Sequence, residues 1–299
     1  MVEKLPDLDD PDLFAWIDLS QEAELSGLAD RLGLHPLILT NAGDEDRRSK
    51  IRNYDDGYTL IVLNAVVARP EGPGFIELIN IIGPRQLITM HREPLHIVDD
   101  LWQQVRDQIP VPTSVAHLLY LLLDRLVDAY FPVLDGWNDR LTTLESQVLL
   151  RPEGHHLSEL LQLKKKLLGL RRTLAAQREI LGNLARRGRF AGDSRVRHYF
   201  SEVYDHLILA LEMVDNLREV LSATLEGYLS VVSNRTNEIM KTLTIIATIG
   251  LPLSLITSIY GMNFYMPETE WAYGYAYVWI LMLTVSGGML LYFRWRRWL

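Results

Sequence analysis

Two long uncharged stretches towards the C-terminal end constrain this chain more than any other feature. Between Thr242 and Pro267 there is no Asp, Glu, Lys, Arg or His, and a second such run extends from Trp271 to Phe293. The segment Thr242–Tyr260 matches the length a helix needs to cross a bilayer core, roughly 20 residues. Only Glu268 and Glu270 carry charge between the two runs. The pattern predicts a large, mostly polar N-terminal part standing on two membrane helices. A short acidic loop joins them, and Gly261-Met262-Asn263 closes the first.

Flanking charge orients the pair. Arg294, Arg296 and Arg297 follow the second run among Trp295 and Trp298, and Arg235 and Lys241 precede the first. Because basic residues stay on the cytoplasmic side, both termini are expected in the cytoplasm and the loop outside. Trp271, Tyr273, Tyr275 and Tyr277 read as an interfacial aromatic belt. Met1–Pro11 is acidic and has no apolar core, so no cleavable signal peptide is expected. The expected location is the inner or plasma membrane. A net charge of −8 argues against nucleic acid as a partner, and the absence of cysteine removes thiolate metal sites and nucleophiles. No Ser-His-Asp set, paired carboxylates or phosphate-binding glycine loop is recognisable, so no enzyme is expected.

The N-terminal part reads as α/β. Residues 13–19 and 58–68 have strand character, and 75–82 with 85–91 form a hairpin around Gly83-Pro84. Helices are expected over 21–32 with Ser20 as cap, briefly after His35-Pro36, and over 93–108. Beyond Pro112 the pattern is helical: 113–150 with a kink at Pro132, 157–187, and a third helix from Asp193 or Ser194 that runs into the first span. Leu207, Leu211, Val214, Arg218, Leu221, Leu225, Tyr228, Val232, Arg235 and Ile239 follow a 4-3-4-3 spacing, which marks a helical seam. A helix from 195 to 260 would be about 100 Å long. No single copy needs so long a stalk, so the seam reads as an assembly interface around a shared axis, with the chain's own 157–187 helix as the alternative partner for part of it.

Small and polar residues gather around one face of the first span and its approach: Asn237, Thr244, Ala247, Thr248, Ser254 and Ser258. A lipid anchor has no need of them, and together they favour a water-filled path. Two spans cannot enclose a pore alone, so transport requires several copies. His198, Glu202 and His206 at i, i+4 and i+8 share a helix face with metal-ligating chemistry, although a solvated face explains them better because the two histidines lie about 12 Å apart along the helix. His155-His156 and the basic 157–187 helix read as surface.

Tyr260-Gly-Met-Asn-Phe, followed by Met266-Pro-Glu, a second span and a basic-aromatic end, resembles the CorA family of divalent-cation channels. The likeness extends upstream through Lys241-Thr-Leu-Thr-Ile-Ile-Ala-Thr and the stretch from Tyr228 to Glu238. It reaches Trp16-Ile-Asp and Gly33-Leu-His-Pro more loosely. It covers nearly the whole chain and is densest from about 195 to 299.

The resemblance implies an α+β membrane protein: an N-terminal α/β cytoplasmic domain, a long helical stalk bundle and two transmembrane helices per subunit of a homopentamer. The corresponding boundaries are 1–112 for the α/β domain, 113–240 for the stalk and 241–261 for the first, pore-lining span. The outer loop then takes 262–272, the second span 273–293 and the basic tail 294–299. It further implies that Gly261, Met262 and Asn263 form the selectivity mouth, and that Asn237, Met240, Leu243, Leu251 and Ser254 line the pore. Arg294, Arg296 and Arg297 would ring the cytoplasmic mouth. Met266-Pro267-Glu268, with Glu270 in the same acidic loop, resembles the magnesium/cobalt branch rather than the zinc branch.

Mg²⁺ sheds water reluctantly and prefers oxygen, so a ring of neutral Asn carbonyls holds its hydration shell without the trap that carboxylates would set. Leu243 and Leu251 rings suit a constriction that gates by dewetting. In the family, cytoplasmic Mg²⁺ bridges acidic residues of adjacent subunits and closes the channel. The matching stalk position is Glu202, near Asp205. The partner position is usually acidic but falls here on Thr40-Asn41, with Asp44, Glu45 and Asp46 as nearby substitutes. The expected function is a potential-driven Mg²⁺ and Co²⁺ channel whose partners are its own copies, the bilayer and divalent cations. A zinc or nickel transporter of the same architecture and a non-conducting membrane scaffold are the alternatives.

Overall fold

The computed structural model describes residues 14–20, 22–43, 49–67, 69, 73–107, 112–187, 194–263, 267 and 271–298. They form two compact units. One runs to Leu225 without Val148–Pro152, and the other takes that segment together with Glu226 onward.

The first unit is built on a sheet of β1 (Ala15–Leu19), β2 (Lys50–Asn53), β3 (Thr59–Val67), β4 (Gly74–Ile82) and β5 (Gln86–Met90), in the order β1-β5-β4-β3-β2. β1 runs parallel to β5, and the other neighbours are antiparallel. The register lines up two apolar rows across the sheet, Leu60–Ile81–Ile88–Ile17 and Val62–Ile79–Met90–Leu19. Helices α1 (Glu22–Leu32) and α2 (Pro36–Ala42) cover these rows with Leu25, Leu28 and Ile38. Each such side chain contributes about 2 kcal/mol by leaving water. Ile61, Leu63 and Leu78 point the other way and are equally buried. With both faces covered, β3 has no need of alternation, and its sequence is a continuous apolar run broken only by Asn64.

The hairpin at Gly83-Pro84 closes through Gly83 N–H to the Gln86 carbonyl, 2.8 Å. A Cβ on Gly83 would fall 2.7 Å from the Tyr58 ring, so close packing requires glycine there. Strand β2 had no counterpart in the sequence reading. All but Ile51 of its residues are polar, all four are half-buried or exposed, and the free edge of β3 makes it a strand.

Helices α3 (His96–Arg106), α4 (Val115–Asp128), α5 (Tyr130–Leu150) and α6 (Gly154–Arg187) follow. The single helix expected over 113–150 is two, broken at Ala129. Pro132 has no N–H to give the carbonyl of Asp128, four residues back, and the break falls beside that carbonyl. Tyr130, fully buried, sets its hydroxyl between the Asn64 carbonyl and Gln177 Oε1, 3.2 Å away, while Gln177 Nε2 donates to the same Asn64 carbonyl at 2.9 Å. Burial pushes the Tyr130 phenol up, which keeps it a donor. Tyr130→Phe is expected to cost about 1–2 kcal/mol in chemical denaturation, because the buried Gln177 oxygen loses its donor.

At the end of the β1–β5 pair, Trp16 Nε1 donates to Thr89 Oγ1 (3.0 Å), Thr89 to Asp18 Oδ1 (2.5 Å), and His91 Nε2 lies 3.2 Å from Asp18 Oδ2. Burial opposes charge on His91, but the Asp18 carboxylate, the Glu93 carbonyl and more distant Asp99 outweigh it and raise its pKa. A raised histidine pKa stabilises the fold fully below the ordinary value, and that contribution is lost as pH rises through the folded value. Thermal stability of the wild type is therefore expected to fall between about pH 6 and 8, and His91→Gln to flatten that slope.

Helix α7 (Ser194–Tyr260) is 67 residues long and α8 (Gly274–Trp295) has 22. Along α7 the seam residues Leu207, Leu211, Val214, Leu221 and Tyr228 are buried within the chain. α6 lies antiparallel to this stretch, with the Arg186 guanidinium 5.8 Å from the Tyr204 ring centroid and Arg171 Nε 2.6 Å from Asp215 Oδ1. Arg218, one of the two charged seam positions, pairs with the same Asp215 at 2.8 Å. The chain's own α6 thus accounts for the seam from Leu207 to Leu221. Further on, Arg235 and Ile239 are exposed.

Candidate ion path and regulatory cluster

Among the described residues two helices are long and apolar enough to cross a membrane, and their apolar parts, the C-terminal part of α7 and α8, lie in the second unit. At the 100° per residue of an α-helix, Asn237, Met240, Leu243, Leu251 and Ser254 fall within an arc of about 120°, and Thr244, Ala247 and Ser258 fall within it too. All five expected lining residues are exposed. Of residues 241–260 only Ile245 is buried, and it lies on the opposite side of the helix.

The arc is uncharged and offers oxygen. Thr244 Oγ1 donates its proton to the Met240 carbonyl (2.8 Å), which leaves acceptor lone pairs facing outward. Thr257, about 40° beyond the edge of the arc, does the same with Leu253 (3.1 Å) and Ser254 (2.9 Å). Pro252 sits inside α7 and has no N–H for the Thr248 carbonyl, a gap that membrane helices tolerate where water or a neighbour completes the bond. Acceptors without formal charge suit a cation that keeps its water shell, since the shell presents protons.

α7 ends at Tyr260, and the chain turns through Gly261 N–H to the Thr257 carbonyl (2.9 Å) and Met262 N–H to that of Ile259 (3.2 Å). A Cβ on Gly261 would lie 3.1 Å from the Thr257 oxygen, so the turn is tight enough to favour glycine. Gly261, Met262 and Asn263 are exposed at this end. Glu268 and Glu270 lie outside the described residues. At the other end of α8, Arg294, Arg296 and Arg297 are exposed.

Within one chain the expected regulatory residues lie apart, as a site bridged between adjacent copies would have them. Asn41 Nδ2 is engaged with the Leu37 carbonyl (2.7 Å) and Tyr54 Oη (3.0 Å), whereas Glu202 accepts from Tyr120 of α4 at 3.3 Å. Asp205 is exposed, and Asp44, Glu45 and Asp46 lie outside the described residues. The structure groups His206 with Asp124 and Asp128 of α4 instead of with His198, which is exposed on the surface.

The Asp124, Asp128 and His206 ligand atoms lie within 4.8 Å of one another. His206 Nδ1 is 3.5 Å from Asp128 Oδ1 and 3.8 Å from Asp124 Oδ1, and this buried nitrogen has no hydrogen-bond partner. Burial, and then the neighbouring Asp128 charge, raise the Asp124 carboxyl, while His206 pulls it down. Burial, Asp124 and Glu202 push the Tyr120 phenol up to about 12. Two carboxylates one helical turn apart repel, and a cation between them and the orphaned imidazole nitrogen removes that cost. Like charge at i, i+4 on an otherwise apolar α4 is the signal that could have marked Asp124 and Asp128 in the sequence.

A family model described as CorA-like Mg²⁺ transporter protein matches residues 12–297. The cobalt/magnesium transport protein CorA of Thermotoga maritima is 37% identical over 275 residues, covering 89% of this chain and 77% of that protein. A putative metal ion transporter of Bacillus subtilis is 32% identical over 300 residues, covering 97% and 92%. The complete structure of the CorA magnesium transporter from Methanocaldococcus jannaschii superposes with a TM-score of 0.86 at 26% identity, over 98% of this chain and 93% of that one. Members of this family are ion transporters rather than enzymes. An α/β N-terminal part, one very long helix and two apolar C-terminal helices agree with that match along nearly the whole length, and the chain belongs to the CorA family of divalent-cation transporters.

Proposed function

We propose that five copies of this chain form a channel for hydrated Mg²⁺, with Co²⁺ as a second ion, driven by the membrane potential and closed by cytoplasmic divalent cations. The observation that carries the reading is the uncharged, oxygen-bearing arc of α7, which leads from Asn237 through Leu243 and Leu251 to the exposed Gly261-Met262-Asn263 turn. One copy contributes one such face, so a closed path needs several around an axis. The first span is taken as 241–261, the outer loop as 262–272 and the second span as 273–293, behind a cytoplasmic domain (1–112) and stalk (113–240). Both termini lie in the cytoplasm, where Arg294, Arg296 and Arg297 surround the inner mouth.

A potential of 100 mV supplies about 2.3 kcal/mol per charge, hence roughly 4.6 for a divalent ion, and no nucleotide is required. Closing is assigned to Asp124, Asp128 and His206, with Glu202 one turn away on α7. Imidazole suits cobalt, nickel or zinc better than magnesium, so the cluster answers to transition ions as well as Mg²⁺.

The test is ion uptake into proteoliposomes under a potassium-diffusion potential. Mg²⁺ uptake that steepens with inside-negative potential is expected, and uptake equal to protein-free vesicles at every potential rejects conduction in favour of a scaffold. Zn²⁺ uptake well above Mg²⁺ in the same vesicles would instead assign a zinc transporter.

A further inference from the structure

Helix α8 ends in a turn whose backbone geometry the ion path does not explain. Arg297 has φ 55°, and it is the one non-glycine with positive φ among the described residues. Its N–H bonds to the Arg294 carbonyl (3.0 Å), and the next N–H, of Trp298, reaches back to Phe293 (2.9 Å). The Trp298 ring stacks on Phe293 at 5.7 Å. These two bonds and the apolar contact form a Schellman motif, whose left-handed position glycine normally fills because a Cβ is strained there. Lys241 of α7 closes the arrangement by donating from Nζ to the Arg297 carbonyl, 3.4 Å.

An arginine kept where glycine fits better points to a use for its side chain. Some cations elsewhere are paired: Arg140 with Glu159, Arg171 and Arg218 with Asp215, Arg69 with Glu93. Among the described residues Lys241, Arg294, Arg296 and Arg297 have no such carboxylate, although Glu238 lies one turn before Lys241. Lys241 spends one of three protons on the backbone and keeps two. Trp295 is 79% exposed beside them, at the level where indoles sit in a bilayer interface.

We propose that Lys241 and Arg297, flanked by Arg294 and Arg296, bind the phosphate of an anionic phospholipid headgroup. The site ties the start of the apolar part of α7 and the end of α8 to the lipid surface. This inference rests on the reading that both helices span the bilayer. The phosphate could equally belong to a soluble anion, but a site at the ends of two apolar helices and rimmed by exposed tryptophan favours a headgroup.

The test is native mass spectrometry of the full-length protein released from micelles containing phosphatidylglycerol or phosphatidylcholine. Arg297→Gly relaxes the turn while removing the guanidinium, so folding is preserved. Phosphatidylglycerol retention is expected to fall about fivefold in Arg297→Gly and again in Lys241→Gln, the factor that about 1 kcal/mol per cation represents. Retention equal to the parent in Arg297→Gly overturns the proposal, as does equal retention of phosphatidylcholine. Displacement of the lipid by millimolar inorganic phosphate reassigns the site to a soluble anion and overturns the headgroup assignment. Extraction of the parent from vesicles by carbonate would count against the two spans themselves, a separate failure.

Discussion

Replacing Asn263 by alanine is expected to reduce potential-driven Mg²⁺ uptake to the level of protein-free vesicles. The side chain is exposed just beyond the last turn of α7, after a turn fixed by Gly261 and Met262. Its carbonyl is neutral, so it accepts from the water shell of an arriving ion without stripping it. Losing about 1 kcal/mol of contact in one copy is modest, but the five copies of the proposed channel would lose about 5 kcal/mol together. That equals or exceeds the roughly 4.6 kcal/mol that 100 mV supplies to a divalent ion, so entry fails. Asn263→Asp separates recognition from simple polarity: a ring of carboxylates holds the ion more tightly, and throughput falls while apparent affinity rises. Uptake by Asn263→Ala within twofold of the parent, at equal incorporation, would sink the mouth assignment.

How far the sequence led differs by element, for physical reasons. The two apolar helices were legible because a bilayer demands an uninterrupted run that soluble folds seldom need. β3 was legible because Leu60 to Val66 is apolar but for Asn64, and the β4–β5 hairpin because Gly83-Pro84 punctuates it. β2 was not legible. Lys50-Ile-Arg-Asn is an edge strand whose pairing with β3, not its own side chains, makes it extended. Pro132 announced a kink in the 113–150 helix but not its division into two at Ala129, which depends on the carbonyl the proline cannot satisfy. The seam announced a helical partner. That the partner of Leu207 to Leu221 is α6, held by Arg171 and Asp215, depends on two segments some forty residues apart.

The cytoplasmic cluster was the hardest part to read, because α4 and α7 are distant in sequence and each alone looks ordinary. Asp124 and Asp128 resemble a polar stripe until His206 is set between them.

Removing either side of that cluster is expected to raise the cytoplasmic divalent concentration needed for closure by about tenfold or more, since each lost ligand costs at least about 1.4 kcal/mol. The variants are Asp124→Ala and His206→Ala, read as the midpoint of inhibition when Mg²⁺ or Co²⁺ is titrated on the cytoplasmic face. Co²⁺ should suffer more than Mg²⁺ from His206→Ala, because imidazole contributes little to a magnesium site. Glu202→Ala is expected to move the midpoint in the same direction but less, as its carboxylate is already held by Tyr120. Proton competition supplies an independent check. The Asp124 carboxyl is raised by burial and by Asp128, so it takes up a proton at higher pH than an ordinary aspartate. A binding ion must displace that proton, so closure weakens as pH falls, and Asp124→Ala removes much of this dependence. Midpoints unchanged in Asp124→Ala and His206→Ala, for both ions, would remove the cluster from the gating mechanism and leave conduction through α7 untouched.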